Sequence, residues 1–230
     1  MFEEIVAPTV KELFIDRIEN LILTGELQIG EKLPSERELA EKMKISKTAV
    51  HSGISDLQRK GFLKVVPRIG IFVDDYTANG TLEVLASIIR HNQGKMTSRN
   101  VRSILEVRAA IESIAVKDII AADDPKIGEK LKEIALKADN ETDPYQLAEI
   151  FYEFHHCICT SSGNIIIPLI MNAFREPALR MWANSTRALG AEESRNRINT
   201  LLKYITERDT EKAVQHIEWI CATSEGIVNE

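Results

Sequence analysis

The pattern of apolar and polar positions changes character along the chain. Over the first 60 residues apolar side chains recur at helical spacing. Val10, Leu13, Phe14, Ile18, Leu21 and Ile22 make one stripe, closed by Gly25. Leu39, Ala40 and Met43 make a short second one. Ala49, Val50, Ile54 and Leu57 make a third, closed by Gly61. From Gly61 to Val73 β-branched and aromatic residues flank Pro67-Arg68-Ile69-Gly70 on both sides, which predicts a hairpin. Beyond Gly80 nearly everything returns to helical period. Val84, Leu85, Ile88 and Ile89 form a stripe, and Val101, Ile104, Leu105, Ile111, Ile114 and Ala115 continue as another. Leu131, Ile134, Ala135 and Ala138 follow, then Leu147, Ile150, Phe151, Phe154 and Ile158, the latter opened by the Asp143-Pro144 start signal. Further helices are expected at 165–188, 191–207 and 210–228, with breaks at Gly163-Asn164, Leu189-Gly190 and Arg208-Asp209. Short connections make sequential helices pack antiparallel.

The early stripes are organised by caps. Ser35 and Glu38 stand at capping-box spacing, each satisfying an orphan N–H of the other's backbone. A short helix therefore starts at Ser35, Lys44-Ile45 is a turn, and Ser46 caps the next helix. Helix, helix, tight turn, helix, hairpin is a winged helix-turn-helix. The expected fold is mostly α: a winged helix-turn-helix with a two-stranded wing over 1–75, a linker at 76–80, and an all-α antiparallel helical bundle over 81–230.

Composition narrows the picture. The 230 residues are 44% hydrophobic and 28% charged, enough to bury a core without staples. The longest apolar run, Ile165 to Met171, is too short to cross a bilayer and contains a Pro, so no membrane partner is expected. The N-terminus is acidic where a signal peptide is basic. Three Cys argue against a disulfide framework and fit a cytoplasmic location.

A net charge of −6 by itself argues against nucleic acid, but the charge is split. Lys42, Lys44, Lys47, Arg59, Lys60, Lys64 and Arg68 are accompanied by one acid, Asp56, so residues 42–68 carry +6. A basic patch inside an acidic protein is an electrostatic footprint. In a winged helix-turn-helix the second helix of the pair enters the major groove with its N-terminal residues first. Those are Ser46, Lys47, Thr48 and His51, able to donate to phosphate, reach guanine acceptors or meet a thymine methyl. The wing tip Arg68, Ile69 and Gly70 can lie on the backbone or along the minor groove.

The run from Gly25 to Val73 closely resembles the GntR family of bacterial transcriptional regulators. The family string G-x-L-x-x-G-x-x-L-P-S-E-R-E-L-A is matched from Gly25 to Ala40. The recognition helix matches at Ile45-Ser46-Lys47-Thr48-Ala49-Val50-His51-Ser52-Gly53-Ile54, and the G-x-F-V wing at Gly70 to Val73. The resemblance implies DNA contacts at Arg37, Ser46, Lys47, Thr48, His51 and the wing residues Arg68, Ile69 and Gly70. Lys47 and His51 stand where the family usually has Arg, so a point charge replaces a two-pronged fork and the operator is expected to diverge. Gly53 replaces a helix-favouring Ala and is expected to cost about 1 kcal/mol. With His51 in the recognition helix, operator affinity is expected to strengthen as pH falls from about 8 to about 6, where an ordinary imidazole gains its proton.

The helical half resembles the FadR-type (FCD) branch of that family. Leu105-Glu106-Val107-Arg108-Ala109-Ala110-Ile111-Glu112 is similar to its E-x-R-x-x-L-E helix. Phe154-His155 with Ser161-Ser162-Gly163-Asn164 is similar to its F-H…S-G-N segment, and Ile205, Asp209 and Ala213 to its ending. Many members hold a divalent metal with one Asp and three His. The corresponding positions here are Phe151, His155, Ile198 and Ile220. Phe and Ile cannot ligate, so no metal or other cofactor is expected; His156, Glu153 or His216 would have to substitute. Either side chains fill the cavity and the domain only dimerises, or it binds an organic effector, a carboxylate or an acyl-CoA. Arg108, His155 and Asn164 are the candidate effector residues, with Arg108 either an anion partner or paired internally to Glu112 at i+4. Cys157 and Cys159 point to different helix faces and, with Cys221, read as buried free thiols.

No G-x-S-x-G, P-loop, H-E-x-x-H or dinucleotide fingerprint occurs, so no enzyme is expected. The expected protein is a homodimeric DNA-binding regulator, a repressor, whose hold on an inverted-repeat operator in double-stranded DNA is set by a small organic effector. The alternatives are a metal-dependent regulator and an effector-free dimeric architectural protein.

Overall fold

The computed structural model describes residues 7–91 and 98–224. The chain divides into two compact units, Met1–Gln93 and Gly94–Glu230.

The first unit runs α1 (Val10–Leu23), α2 (Glu36–Met43), α3 (Lys47–Lys60), β1 (Leu63–Val66), β2 (Gly70–Val73), α4 (Tyr76–Asn79) and α5 (Leu82–His91). Each helix of the central pair starts on a real cap. Glu38 N donates to Ser35 Oγ (3.3 Å) and Ser35 N donates back to Glu38 Oε2 (2.8 Å). Ala49 N donates to Ser46 Oγ (3.1 Å). Lys44 adopts a left-handed backbone (φ 54) and makes the tight turn between α2 and α3, while Gly61 (φ 94) ends α3. β1 and β2 pair antiparallel, with Leu63 opposite Val73 and Val66 opposite Gly70.

Helix α1 buries Phe14, Ile15, Ile18 and Ile22, and leaves Val10 and Leu13 about half exposed. The stripe read from the sequence thus starts one turn late: α1 overhangs the core at its N-terminus. Gly53 also has a structural reason. It is buried where α3 crosses α1, and a Cβ there would run into the Phe14 ring. The helix gives up propensity at this position for close approach.

The segment expected as a linker, 76–80, is a single helical turn, and α5 beyond it packs on α1 and α3. Arg59 on α3 pairs with Glu83 on α5 (2.7 Å), and Thr81 N donates to the Lys60 carbonyl at the end of α3 (2.9 Å). α5 therefore belongs to the first compact unit. Short-range pattern marks where a helix is, but not which core it joins.

The second unit is all helical: α6 (Ser98–Ala122), α7 (Pro125–Leu136), α8 (Pro144–Ser161), α9 (Ile167–Ala173), α10 (Arg175–Leu189), α11 (Ala191–Thr206) and α12 (Thr210–Ser224). α6 packs on α8 and α12, α8 on α10 and α7, and α11 bridges α12, α10 and α7. One core runs through Leu105, Val116, Leu131, Leu147, Phe154, Ile158, Leu201 and Ile217. The helix expected over 165–188 is two helices, broken at Phe174. Pro177 explains the break, since it has no N–H for the Ala173 carbonyl and its ring would strike that carbonyl in a continuous helix. The end of the last expected helix, 225–228, lies outside the described residues. No helix among the described residues is long and apolar enough to cross a membrane.

Candidate functional site

Two places gather the residues singled out above. The first is the solvent face of α3 with the wing. Lys47, Thr48 and His51 are exposed on the first turn and a half of α3. Ser46 spends its oxygen lone pair on the Ala49 N–H, which leaves the hydroxyl proton to donate outward. Arg37 on α2 is exposed, and its Nε donates to Glu41 one turn on (2.9 Å). His51 Nδ1 lies 2.9 Å from Glu36 Oε1, so a carboxylate stands against the reading face. At the wing tip Arg68 (φ 64) and Gly70 (φ 148) take positive φ, and Ile69 between them is 60% exposed.

Sequence reasoning missed one member of this surface. Gly30 N donates to Val73 O (2.9 Å), Leu33 N to Ile71 O (2.8 Å) and Val73 N to Glu31 O (2.9 Å). The residues between α1 and α2 thereby add a short third edge to the wing. That edge places exposed Lys32 over the Phe72 ring (5.9 Å) and against Gly70. No periodicity marks this pairing, because the paired stretch is only a few residues long.

The second place is inside the bundle. The family's four metal positions, Phe151, His155, Ile198 and Ile220, converge on one cavity, although they come from α8, α11 and α12. Trp182, Ser185, Thr186, Ser194, Arg197 and Ser224 complete the lining. The cavity measures about 20 Å³, room for one water molecule.

The residues there do not fit a metal. Phe151, Ile198 and Ile220 offer no lone pair. The fourth position, His155, has its Nε2 3.2 Å from Nη2 of Arg108. A guanidinium only donates, so Nε2 is the acceptor and its lone pair is taken. The ring proton then sits on Nδ1, facing Glu112 Oε2 at 2.8 Å without the alignment of a good hydrogen bond. Among the described residues no group of three or more His, Cys, Asp or Glu comes together as a ligand set. Of the possible substitutes, Glu153 pairs with Lys137 (2.6 Å) and His216 Nε2 donates to the Arg197 carbonyl (2.8 Å), while His156 stacks on Tyr152 with its Nε2 buried and without a hydrogen-bond partner.

Arg108, Glu112 and His155 form a buried triad. Arg108 Nε donates to Glu112 Oε1 at 2.6 Å, and the guanidinium lies 4.5 Å over the Trp182 ring, which also stacks on His155. Burial opposes the charge on Glu112, but Arg108 and His155 outweigh it and hold the carboxyl down to about 2. Burial pushes His155 below the ordinary imidazole value, with Glu112 pulling back only in part. Burial raises the Cys159 thiol, and raises Cys221 to about 11, so these sulfurs stay protonated. Of the two readings of Arg108, the internal pair with Glu112 is the arrangement present.

Asn164 does not join the cavity. It is exposed, and its Oδ1 accepts from Ile166 N (2.9 Å) and Ile167 N (3.3 Å) at the start of α9. The cation that does line the cavity is Arg197. Its Nε has no hydrogen-bond partner, it approaches Glu193 only at 3.5 Å, and its guanidinium lies 5.0 Å over Trp219. Thr186 Oγ1, buried on the same wall, is also without a partner. Arg197 precedes Ile198 in the chain, yet neighbours on a helix point about 100° apart, so its adjacency to a cavity position did not mark it.

Comparison with known proteins agrees with this geometry. Residues 11–73 match the family model of the bacterial regulatory proteins, gntR family, and residues 103–219 match that of the FCD domain. The HTH-type transcriptional regulator Mce2R of Mycobacterium tuberculosis is 30% identical over 189 residues, 81% of this chain and 78% of that protein. LutR of Bacillus subtilis, also an HTH-type transcriptional regulator, is 28% identical over 66% of this chain and 68% of its own. A solved structure of Lar from Listeria monocytogenes superposes with a TM-score of 0.65 at 15% identity, covering 97% of this chain and 98% of that one, and so shares its fold. With a winged helix-turn-helix bearing an exposed basic reading face and an FCD-type bundle following it in the chain, the protein belongs to the GntR family of bacterial transcriptional regulators, in its FCD branch.

Proposed function

We propose that this regulator is a repressor that holds an inverted-repeat operator as a homodimer and is controlled by a small organic anion, a carboxylate, seated in the bundle cavity. Ser46, Lys47, Thr48 and His51 read the major groove. Arg37 holds the backbone, and Arg68, Ile69 and Gly70 follow the flanking groove. Repression asks only that the promoter be occupied, which the DNA-binding unit provides by itself.

The observation that carries the effector reading is the polar wall of the cavity. Arg197 Nε and Thr186 Oγ1 are buried there without a hydrogen-bond partner, although Arg197 is 3.5 Å from Glu193 and its Nη1 donates to Ser224 Oγ (3.4 Å), and donors left so are costly unless something fills the site. A carboxylate satisfies both. Phe151, Ile198 and Ile220 supply the apolar side of its carbon skeleton. With room for one water molecule the cavity must widen for any acid, least for the smallest, whereas an acyl-CoA would force the bundle open. The effector acts through its differential affinity for two arrangements of the dimer, not through binding alone.

The test is a thermal-shift and operator-binding screen with sodium acetate, pyruvate and lactate against sodium chloride at equal ionic strength. At least one acid is expected to raise the melting temperature and weaken operator binding in the wild type, and to do neither in Arg197→Gln. Equal responses in the two proteins would remove the reading.

A further inference from the structure

Besides the cavity at the family positions, the bundle holds a second and much roomier one. It measures about 320 Å³, within the range of small-molecule sites, and is a groove where the end of α6, the start of α7 and the end of α11 meet. Its floor is apolar: Ile119 and Ile120 from α6, Ile127 from α7 and Ile205 from α11. The two cavities share no lining residue, so each can fill without the other. Gly128 completes the floor, and nothing in the packing asks for a glycine there. A Cβ would meet Thr206 Cγ2 at 3.7 Å and nothing closer, an ordinary contact. Gly53 is the opposite case, held by the Phe14 ring. Within α7 a glycine only weakens the helix. What its missing side chain does is keep the floor open. Thr206 adds to this. Its Oγ1 donates back to the Leu202 and Lys203 carbonyls (3.0 and 2.9 Å), which leaves its methyl group facing Gly128.

The rim decides the ligand. Arg208 and Asp123 pair with each other, joining the ends of α11 and α6, and their charges cancel. Asp124, Glu129 and Lys132 remain, two acids and one base, with a net charge of −1. Asp124 Oδ1 accepts from Lys126 N (3.0 Å) at the head of α7, and its other oxygen is uncommitted. Glu129 and Lys132 have no ion-pair partner among the described residues. The start of a helix ordinarily draws an anion, but here the Asp124 carboxylate already caps it and Pro125 has no N–H to offer. An anion is therefore turned away, and a cation finds two carboxylates beside an apolar floor.

We propose that this groove binds an organic ammonium on a branched aliphatic body, with its nitrogen at the carboxylate rim of Asp124 and Glu129 and its hydrocarbon over the isoleucines and Gly128. A simple amine and a free amino acid with such a side chain both offer this chemistry. Lys132 separates them, since it is the cation that the carboxylate of an amino acid would meet. A ligand seated there touches α6, α7 and α11 at once, and gives the bundle a second input independent of the effector cavity.

Methyl NMR on the full chain, with the isoleucine δ1 methyls labelled, tests it. Isoamylamine, leucine and sodium isovalerate carry the same branched body and differ in charge, and each is titrated to millimolar concentration at equal ionic strength. Isoamylamine is expected to shift the methyls of Ile119, Ile120, Ile127 and Ile205 to saturation, and to leave Ile198 and Ile220 of the effector cavity where they are. Isovalerate is expected to leave the four groove methyls unmoved; any shift it causes at Ile198 or Ile220 bears on the effector reading alone. Asp124→Asn with Glu129→Gln keeps the helix cap and is expected to weaken the amine about tenfold. Gly128→Leu fills the floor with a good helix former, and is expected to abolish the amine shifts while the melting temperature stays at or above the wild-type value. Leucine shifting the same methyls, with Lys132→Ala weakening leucine and not the amine, assigns the ligand to the amino acids; a response to isoamylamine alone assigns it to the simple amines. Groove methyls that respond to neither ammonium, that respond equally to isovalerate, or that still respond in Gly128→Leu overturn the proposal.

Discussion

In the DNA-binding unit the groups assigned to function, Lys47, His51 and Arg68, stand in solvent on a helix face and a wing tip. In the bundle the charged pair Arg108 and Glu112 is sealed together with the His155 imidazole beneath Trp182. The difference is one of solvation. An exposed charge costs the fold nothing and remains available to a phosphate. A buried one must be neutralised from within before the bundle can close, so it serves structure first. Arg197 lies between these limits. It is mostly covered, yet its Nε is unsatisfied, and it is therefore the cation still open to a ligand.

The contrast is sharpened most by breaking the sealed charges. Arg108→Met leaves Glu112 buried without its main partner and should cost about 3–5 kcal/mol of stability. Arg108→Met with Glu112→Leu should recover most of that deficit, read by thermal or urea denaturation. Lys47→Ala, by contrast, should leave stability within about 0.5 kcal/mol of wild type.

Acid probes the same triad. Glu112 sits at about 2 in the folded chain against an ordinary 4.5, and His155 also sits below its ordinary value. Both groups bind protons more readily when unfolded. Stability is therefore fully present above the imidazole range. It falls as pH drops below about 6.5, through His155, and further between 4.5 and about 2, through Glu112. The second part is worth about 3 kcal/mol. Calorimetry from pH 8 to pH 3 should show this slope, and His155→Gln should flatten its upper part. A melting temperature independent of pH would count against the buried triad.

Gly53→Ala comes next. Helix propensity alone favours the change by about 1 kcal/mol. Contact with Phe14 opposes it, at about 1–3 kcal/mol for overpacking. The net expectation is destabilisation, measured by denaturation. A more stable variant would mean that α1 and α3 can separate without cost.

The exposed side responds in salt rather than in stability. Lys47→Ala should weaken operator binding. With one fewer phosphate neutralised by each subunit, the log–log salt dependence should flatten by about 2 per dimer. The smallest effect belongs to His51, whose exchange for Gln should weaken operator binding about two- to threefold. Fluorescence anisotropy on labelled operator reads both.

The same division decides what was legible beforehand. Ser35 with Glu38, Ser46, the Lys44 turn and the hairpin are all made by residues a few positions apart, and each stands out in the sequence. Ile15 facing inward in place of Leu13, α5 joining the first core, and Lys32 reaching the wing depend on partners tens of residues away. So does the fate of Arg197, which lines the cavity, whereas Asn164 accepts from Ile166 N and Ile167 N, only two and three residues on. The four family positions are a middle case, since their convergence follows from the resemblance and not from spacing. Gly53 is the most instructive reversal: a residue that reads locally as a weakness is required by a ring on another helix.

The attachment of α5 to the end of α3 has a mechanical consequence. The chain leaves the reading unit through a strut fastened to the recognition helix itself, by Arg59–Glu83 and by the Thr81–Lys60 backbone bond. The turn at Lys47, proposed above to read bases, lies at the other end of α3, about 20 Å away. Torque on α5 would therefore act on a lever arm of that length, transmitted through the core that α5 shares with α1 and α3. A rotation of only about 10° carries the reading turn about 3.5 Å, close to the rise of one base pair. In the homodimer proposed above, gearing of this kind would let a small twist at the exit put two half-sites out of step.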